Sequence, residues 1–124
     1  MSMSRSDYEA QIDDYNFQIS AKECEQDELR AEQRQTMDVF ENFNENILQS
    51  FTQIEAIEVE VNRRGNQQHQ YNEIGEQSLY FSRRFTRQEE ELTEAYNKAY
   101  QTLDDEREAL QRKRDVLFYE EREM

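Results

Sequence analysis

The sequence has no proline, no tryptophan, two glycines, one cysteine and one histidine in 124 residues. Proline and glycine cost a helix most, so little in this chain interrupts one. A single histidine excludes the paired Glu-x-x-His helices of di-iron bundles. A single cysteine excludes an internal disulfide. Glu23 and Glu25 flank Cys24 and oppose thiolate formation, so Cys24 reads as a small apolar residue rather than a nucleophile. No run approaches the ~18 apolar residues of a membrane-spanning helix, and no membrane insertion is expected. The start, MSMSRSDYEA, lacks the apolar centre of a cleavable signal peptide, so the expected place of synthesis is the cytoplasm. There is no phosphate-cradling glycine loop. The carboxylate runs Asp13-Asp14, Glu89-Glu90-Glu91 and Asp104-Asp105-Glu106 lack the glycine-bearing loop of an EF-hand and read as solvated helix faces. His69 reads as a solvated turn residue. No metal and no cofactor are expected. Without convergent reactive groups, neither is an enzyme.

What is present is charge and period. The formal net charge is −14. Residues 1–62 carry 15 acids and 4 bases, and residues 63–124 carry 14 acids and 11 bases. An acidic first half repels phosphate backbones and anionic lipid, so neither nucleic acid nor a membrane surface is an expected partner. Tyr8, Ile12, Tyr15 and Ile19 are spaced 4, 3, 4. The same phase runs on through Leu29, Phe40, Phe43, Ile47, Ile54, Ile57 and Val61, with Lys22, Gln26, Gln33, Thr36 and Ser50 as polar exceptions. This is a heptad seam, the mark of a long helix packed on another. The second half repeats the period in Tyr96, Leu103, Leu110, Leu117 and Met124. Its companion line is Phe85, Leu92 and Ala99, turning polar at Glu106 and Lys113.

Both glycines fall between the halves, Gly65 suiting a helix C-cap. The expectation is one all-α domain over residues 1–124, a long antiparallel two-helix hairpin of coiled-coil character. Helix one would run over about 5–63, the turn over about 64–75 and helix two over about 76–123. In an antiparallel pair the facing positions have a constant sum. A sum of about 139 puts Gln33 opposite Glu106, Gln26 opposite Lys113 and Phe40 opposite Ala99. Slipping by a heptad, to about 132, sets Ile19 against Lys113, an unfavourable burial. The expected turn therefore centres near His69 and Gln70.

One seam buries little, which predicts self-association or a partner. Met3, Ala10, Phe17, Cys24 and Ala31 are also seven apart, and at 100° per residue they lie opposite the seam. Leu48 and Phe51 are displaced to one side of it. Phe81, Ala95, Ala109 and Val116 widen the apolar face of helix two, and Phe118 and Tyr119 add to it near the C-terminus. The partner-binding candidates are accordingly Phe17, Leu48, Phe51, Phe81, Val116 and Phe118. Arg83, Arg84 and Arg87 form a basic patch whose spacing to Gln88 and Glu91 favours pairing within the helix.

The C-terminal run Asp104-Asp105-Glu106-Arg107-Glu108-Ala109-Leu110-Gln111-Arg112-Lys113-Arg114-Asp115-Val116-Leu117-Phe118-Tyr119-Glu120-Glu121-Arg122 resembles the end of the small helical, Lap-type accessory proteins that accompany LXG toxins of the Gram-positive type VII secretion system. The plan of two long helices in an acidic chain is similar along the whole length. The resemblance implies a WXG100-like architecture, although this chain has no tryptophan and lacks the WxG turn. It implies a non-catalytic targeting chaperone that binds the helical N-terminal domain of an LXG toxin, together with a second small helical accessory protein. It also implies export with the toxin. The Tyr-x-x-x-acid secretion signal of such substrates is matched by Tyr119–Glu123 and by Tyr100–Asp104. The alternatives to this reading are a self-assembling coiled-coil scaffold, that is, a homo-oligomer, and an antitoxin-like regulatory binding module.

Overall fold

A computed structural model describes residues 3–64 and 68–124, with backbone alone at 62, 64 and 68–72. The chain is all-α. Helix α1 spans Arg5–Arg64, helix α2 spans Gln68–Arg122, and the two pack against each other as a hairpin. Helix α1 opens with a reciprocal cap. The Asp7 N–H donates to Ser4 Oγ and the Ser4 N–H donates to Asp7 Oδ2, each at 3.1 Å, which satisfies two otherwise free amides of the first turn. Helix α2 starts earlier than expected, because residues 68–75 are helical rather than part of the turn. Gly75 lies inside α2 with no positive φ and open space where a Cβ would stand, so it makes no turn. The proposed Gly65 cap and the reading of the His69 side chain lie outside the described residues.

Contacts divide the chain into two compact units, residues 1–33 with 95–124 and residues 34–94. In the first, Ile12 and Ile19 of α1 are buried, and Tyr96, Leu103, Leu110 and Leu117 of α2 are half-buried. The polar exceptions of the α1 seam meet polar partners here. Gln26, 6% exposed, donates from Nε2 to Asp104 Oδ1 at 3.2 Å. Arg114 donates to Asn16 Oδ1 at 3.0 Å, and the Arg30 guanidinium lies 3.9 Å from the centre of the Tyr100 ring. The two numbers in each of these pairs sum to about 130, not 139. The expected register is therefore wrong by more than a heptad. The objection to the lower sum assumed that Lys113 faced the seam. Instead α2 turns Tyr100, Arg107 and Arg114 inward, each one residue beyond Ala99, Glu106 and Lys113, and Lys113 is exposed. Ile19 never meets it.

The second unit is organised by aromatics. Phe85 is buried and stacks on Phe40, with ring centres 4.2 Å apart at 16°. Phe81 lies 6.3 Å from Phe85 and 6.0 Å from Phe51. Beyond Phe40 the expected seam residues Ile47 and Val61 stay half-buried and are joined by Asn44, Leu48, Phe51, Glu55 and Glu58, while Phe43, Ile54 and Ile57 of that seam are exposed. A straight helix drifts ~20° per heptad against a seven-residue repeat. From Ile12 to Phe40 that amounts to roughly 80°, close to the ~100° of a single residue. The contact line steps forward by one residue where the drift has accumulated.

Candidate partner-binding surface

The six apolar candidates divide between two environments. Phe17 is 74% exposed on α1, and Val116 is 56% exposed on α2. Phe118 and Tyr119 also face outward, with the Arg114 guanidinium 5.7 Å from the Phe118 ring centre. Ala10, Cys24 and Ala31, which share the line of Phe17, are exposed as well. These side chains belong to the first unit. Leu48, Phe51 and Phe81 belong to the second and are half-buried. The ring contact of Phe51 with Phe81 commits both to the packing of α1 on α2.

The two Tyr-x-x-x-acid matches separate in the same way. Tyr119 and Glu123 are exposed. Tyr100 is half-buried beneath Arg30, and Asp104 accepts from Gln26 and from Arg107, the latter at 2.8 Å. Hydrogen bonds from Arg107 and then Gln26 hold the Asp104 carboxyl below the usual aspartate value. Nearby, the 2.6 Å pair of Lys22 with Glu106 raises the lysine above its ordinary value through that hydrogen bond. The bases of α1 in this unit thus all turn toward α2, Arg5 reaching Glu121 at 3.9 Å. Glu9, Asp13, Asp14, Asp27 and Glu28 of α1 are exposed and form no ion pair among the described residues.

The second unit carries an outward apolar line that the heptad period does not separate from the seam. Val39, Phe43, Ile54 and Ile57 are exposed along α1, and a groove of about 650 Å³ is lined by Gln35, Thr36, Val39, Phe40 and Phe43. The heptad places Phe43, Ile54 and Ile57 in the seam, whereas the structure turns them outward. The basic patch on α2 also differs from expectation. Arg84 donates to the Tyr80 hydroxyl at 3.5 Å, and neither Arg83 nor Arg87 pairs with a carboxylate among the described residues.

Among the described residues no cluster of His, Cys, Asp and Glu could hold a metal ion. No helix among them is long and apolar enough to cross a membrane. The described residues leave apolar and charged helix faces exposed. No family model matches the chain, and comparison with curated proteins and solved structures finds none similar to it.

Proposed function

We propose that the protein is a non-catalytic accessory factor that binds the helical N-terminal domain of an LXG toxin and promotes its type VII secretion. One observation carries the reading. The run 104–122, which resembles the ends of such accessory proteins, forms the last ~5 turns of α2 and turns Val116, Phe118 and Tyr119 outward. Large apolar side chains outside the hairpin contact suit a helix laid against them, with apolar anchors recurring at helical spacing. The acidic outer face of α1 would set which helix is accepted, since like charges across an interface are costly. A second small accessory protein would share the toxin. Tyr119 and Glu123, both exposed, are the better-placed secretion signal, because Tyr100 and Asp104 are engaged within the hairpin.

Co-expression with an LXG toxin, followed by affinity purification, tests the proposal. The complex should form with the wild type and be lost in Val116→Asp and Phe118→Asp, with helical content unchanged. Absence of co-purification with both proteins folded overturns it. The self-assembling alternative is favoured by a separate observation, the exposed line from Val39 to Ile57.

A further inference from the structure

We infer that the exposed line of α1 between Val39 and Ile57 is an antiparallel self-association surface, covered by the same line of a second copy. The first ground is that this line stays outside the hairpin. Phe43 is 54% exposed, Ile54 41% and Ile57 61%, while the inward face takes Asn44 and Glu58 in their place. Asn44 Oδ1 and Glu58 Oε2 are then buried with no hydrogen-bond partner among the described residues. The chain thus carries two apolar lines along one stretch of helix, and α2 covers only one.

The second ground is charge. α1 is strongly acidic, and two acidic surfaces repel. Yet at 100° per residue the positions framing this line are Gln35, Asn42, Asn46, Gln49 and Gln53, with Ser50 within it, all uncharged. Asp38, Glu41 and Glu45 fall on the far side of the helix, and Glu55 and Glu58 toward α2. The acids leave free the one apolar face where a copy of equal charge could approach.

The third ground is symmetry. A two-fold contact uses one patch on both copies, so the patch must match itself reversed. With facing numbers summing to about 96, Val39 meets Ile57, Phe43 meets Ile54 and Asn46 meets Ser50, apolar on apolar and polar on polar. A parallel pairing would also stack apolar residues. It would, however, align the helix dipoles, which the antiparallel pairing avoids. The contact spans ~27 Å of helix.

The test uses the full chain alone, in reducing buffer so that exposed Cys24 cannot link two copies. Light scattering across the micromolar range should give the mass of a dimer for the wild type. Phe43→Glu and Ile54→Lys, both at exposed positions, should each halve that mass with helical content unchanged. An equimolar mixture of these two variants should restore the dimer, because residue 43 of one copy faces residue 54 of the other. Val116→Asp should leave the dimer intact, which separates this surface from the toxin-binding one. A monomeric wild type, or a dimer that survives Phe43→Glu, overturns the inference. So does restoration by mixing Phe43→Glu with Phe43→Lys but not with Ile54→Lys, which would show a parallel pair.

Discussion

Asn44→Leu should stabilise the protein. In the structure Asn44 belongs to the inward face of α1, and its Oδ1 is buried with no hydrogen-bond partner among the described residues. An unsatisfied polar group of this kind costs ~1–3 kcal/mol. The residue as a whole is half-buried, so leucine gains about half of the ~1.5–3 kcal/mol of full burial. Taking the low end of each gives a gain of about 2 kcal/mol. Were the heptad phase to continue unbroken past Phe40, residue 44 would stand at the rim of the seam. The substitution would then gain only its helix propensity, at most ~0.5 kcal/mol. Asn42→Leu, on an exposed position of the same helix, isolates that smaller term. Urea unfolding followed by circular dichroism reads the difference. With a slope of ~2 kcal/mol per molar, Asn44→Leu should raise the midpoint by ~1 M and leave the slope unchanged. A shift no larger than that of Asn42→Leu refutes the inward placement and the step in the contact line.

Gly75→Ala should stabilise by ~0.5–1 kcal/mol, because Gly75 has helical backbone and nothing near its Cβ position; a loss on thermal unfolding would put residue 75 back in a turn. In a Cys24→Ser background, paired cysteines at 26 and 104 should oxidise to an intramolecular disulfide faster than a pair at 26 and 113, since Gln26 faces Asp104; the reverse order would restore the register summing to about 139. Asp104 has its carboxyl lowered by Arg107 and Gln26, so its contribution is present above the unfolded value and lost as pH falls through the lower folded one. The stability difference between wild type and Asp104→Asn should be full above about pH 4 and vanish on further acidification, and a constant difference across that window would contradict the assignment. Lys22 runs the other way, contributing below its unfolded value and losing the contribution as pH rises through the raised folded one.

The two helices were legible because the chain lacks the residues that break them. The inward positions up to Phe40 were legible because heptad and helix stay in phase for a few turns. Past Phe40 the apolar residues Phe43, Ile54 and Ile57 keep the heptad, while the contact follows the true helical period. No single-helix pattern shows which of two apolar lines the partner helix covers. On α2 the same ambiguity hid Tyr100, Arg107 and Arg114, because Arg107 and Arg114 are charged yet only half-buried, their stems packing while their guanidinium groups bond to Asp104 and Asn16. Gly75 suits a turn by residue type, yet it lies within α2 with no positive φ and open space at its Cβ position. Of the partner-binding candidates, Phe17 was readable as outward, since it lies opposite the seam, and Val116 and Phe118, on either side of Leu117, are exposed as well. Leu48 and Phe51 moved inward with the one-residue step of α1, and Phe81 is held inward by its ring contacts with Phe51 and Phe85.

Titration calorimetry of this protein with the purified N-terminal helical domain of an LXG toxin, repeated at several temperatures, bears most directly on the proposed function. The account predicts saturable binding with a negative heat-capacity change, the mark of apolar burial, abolished by Val116→Asp and Phe118→Asp. Absence of binding between the folded proteins, or binding that these two variants leave intact, would contradict it.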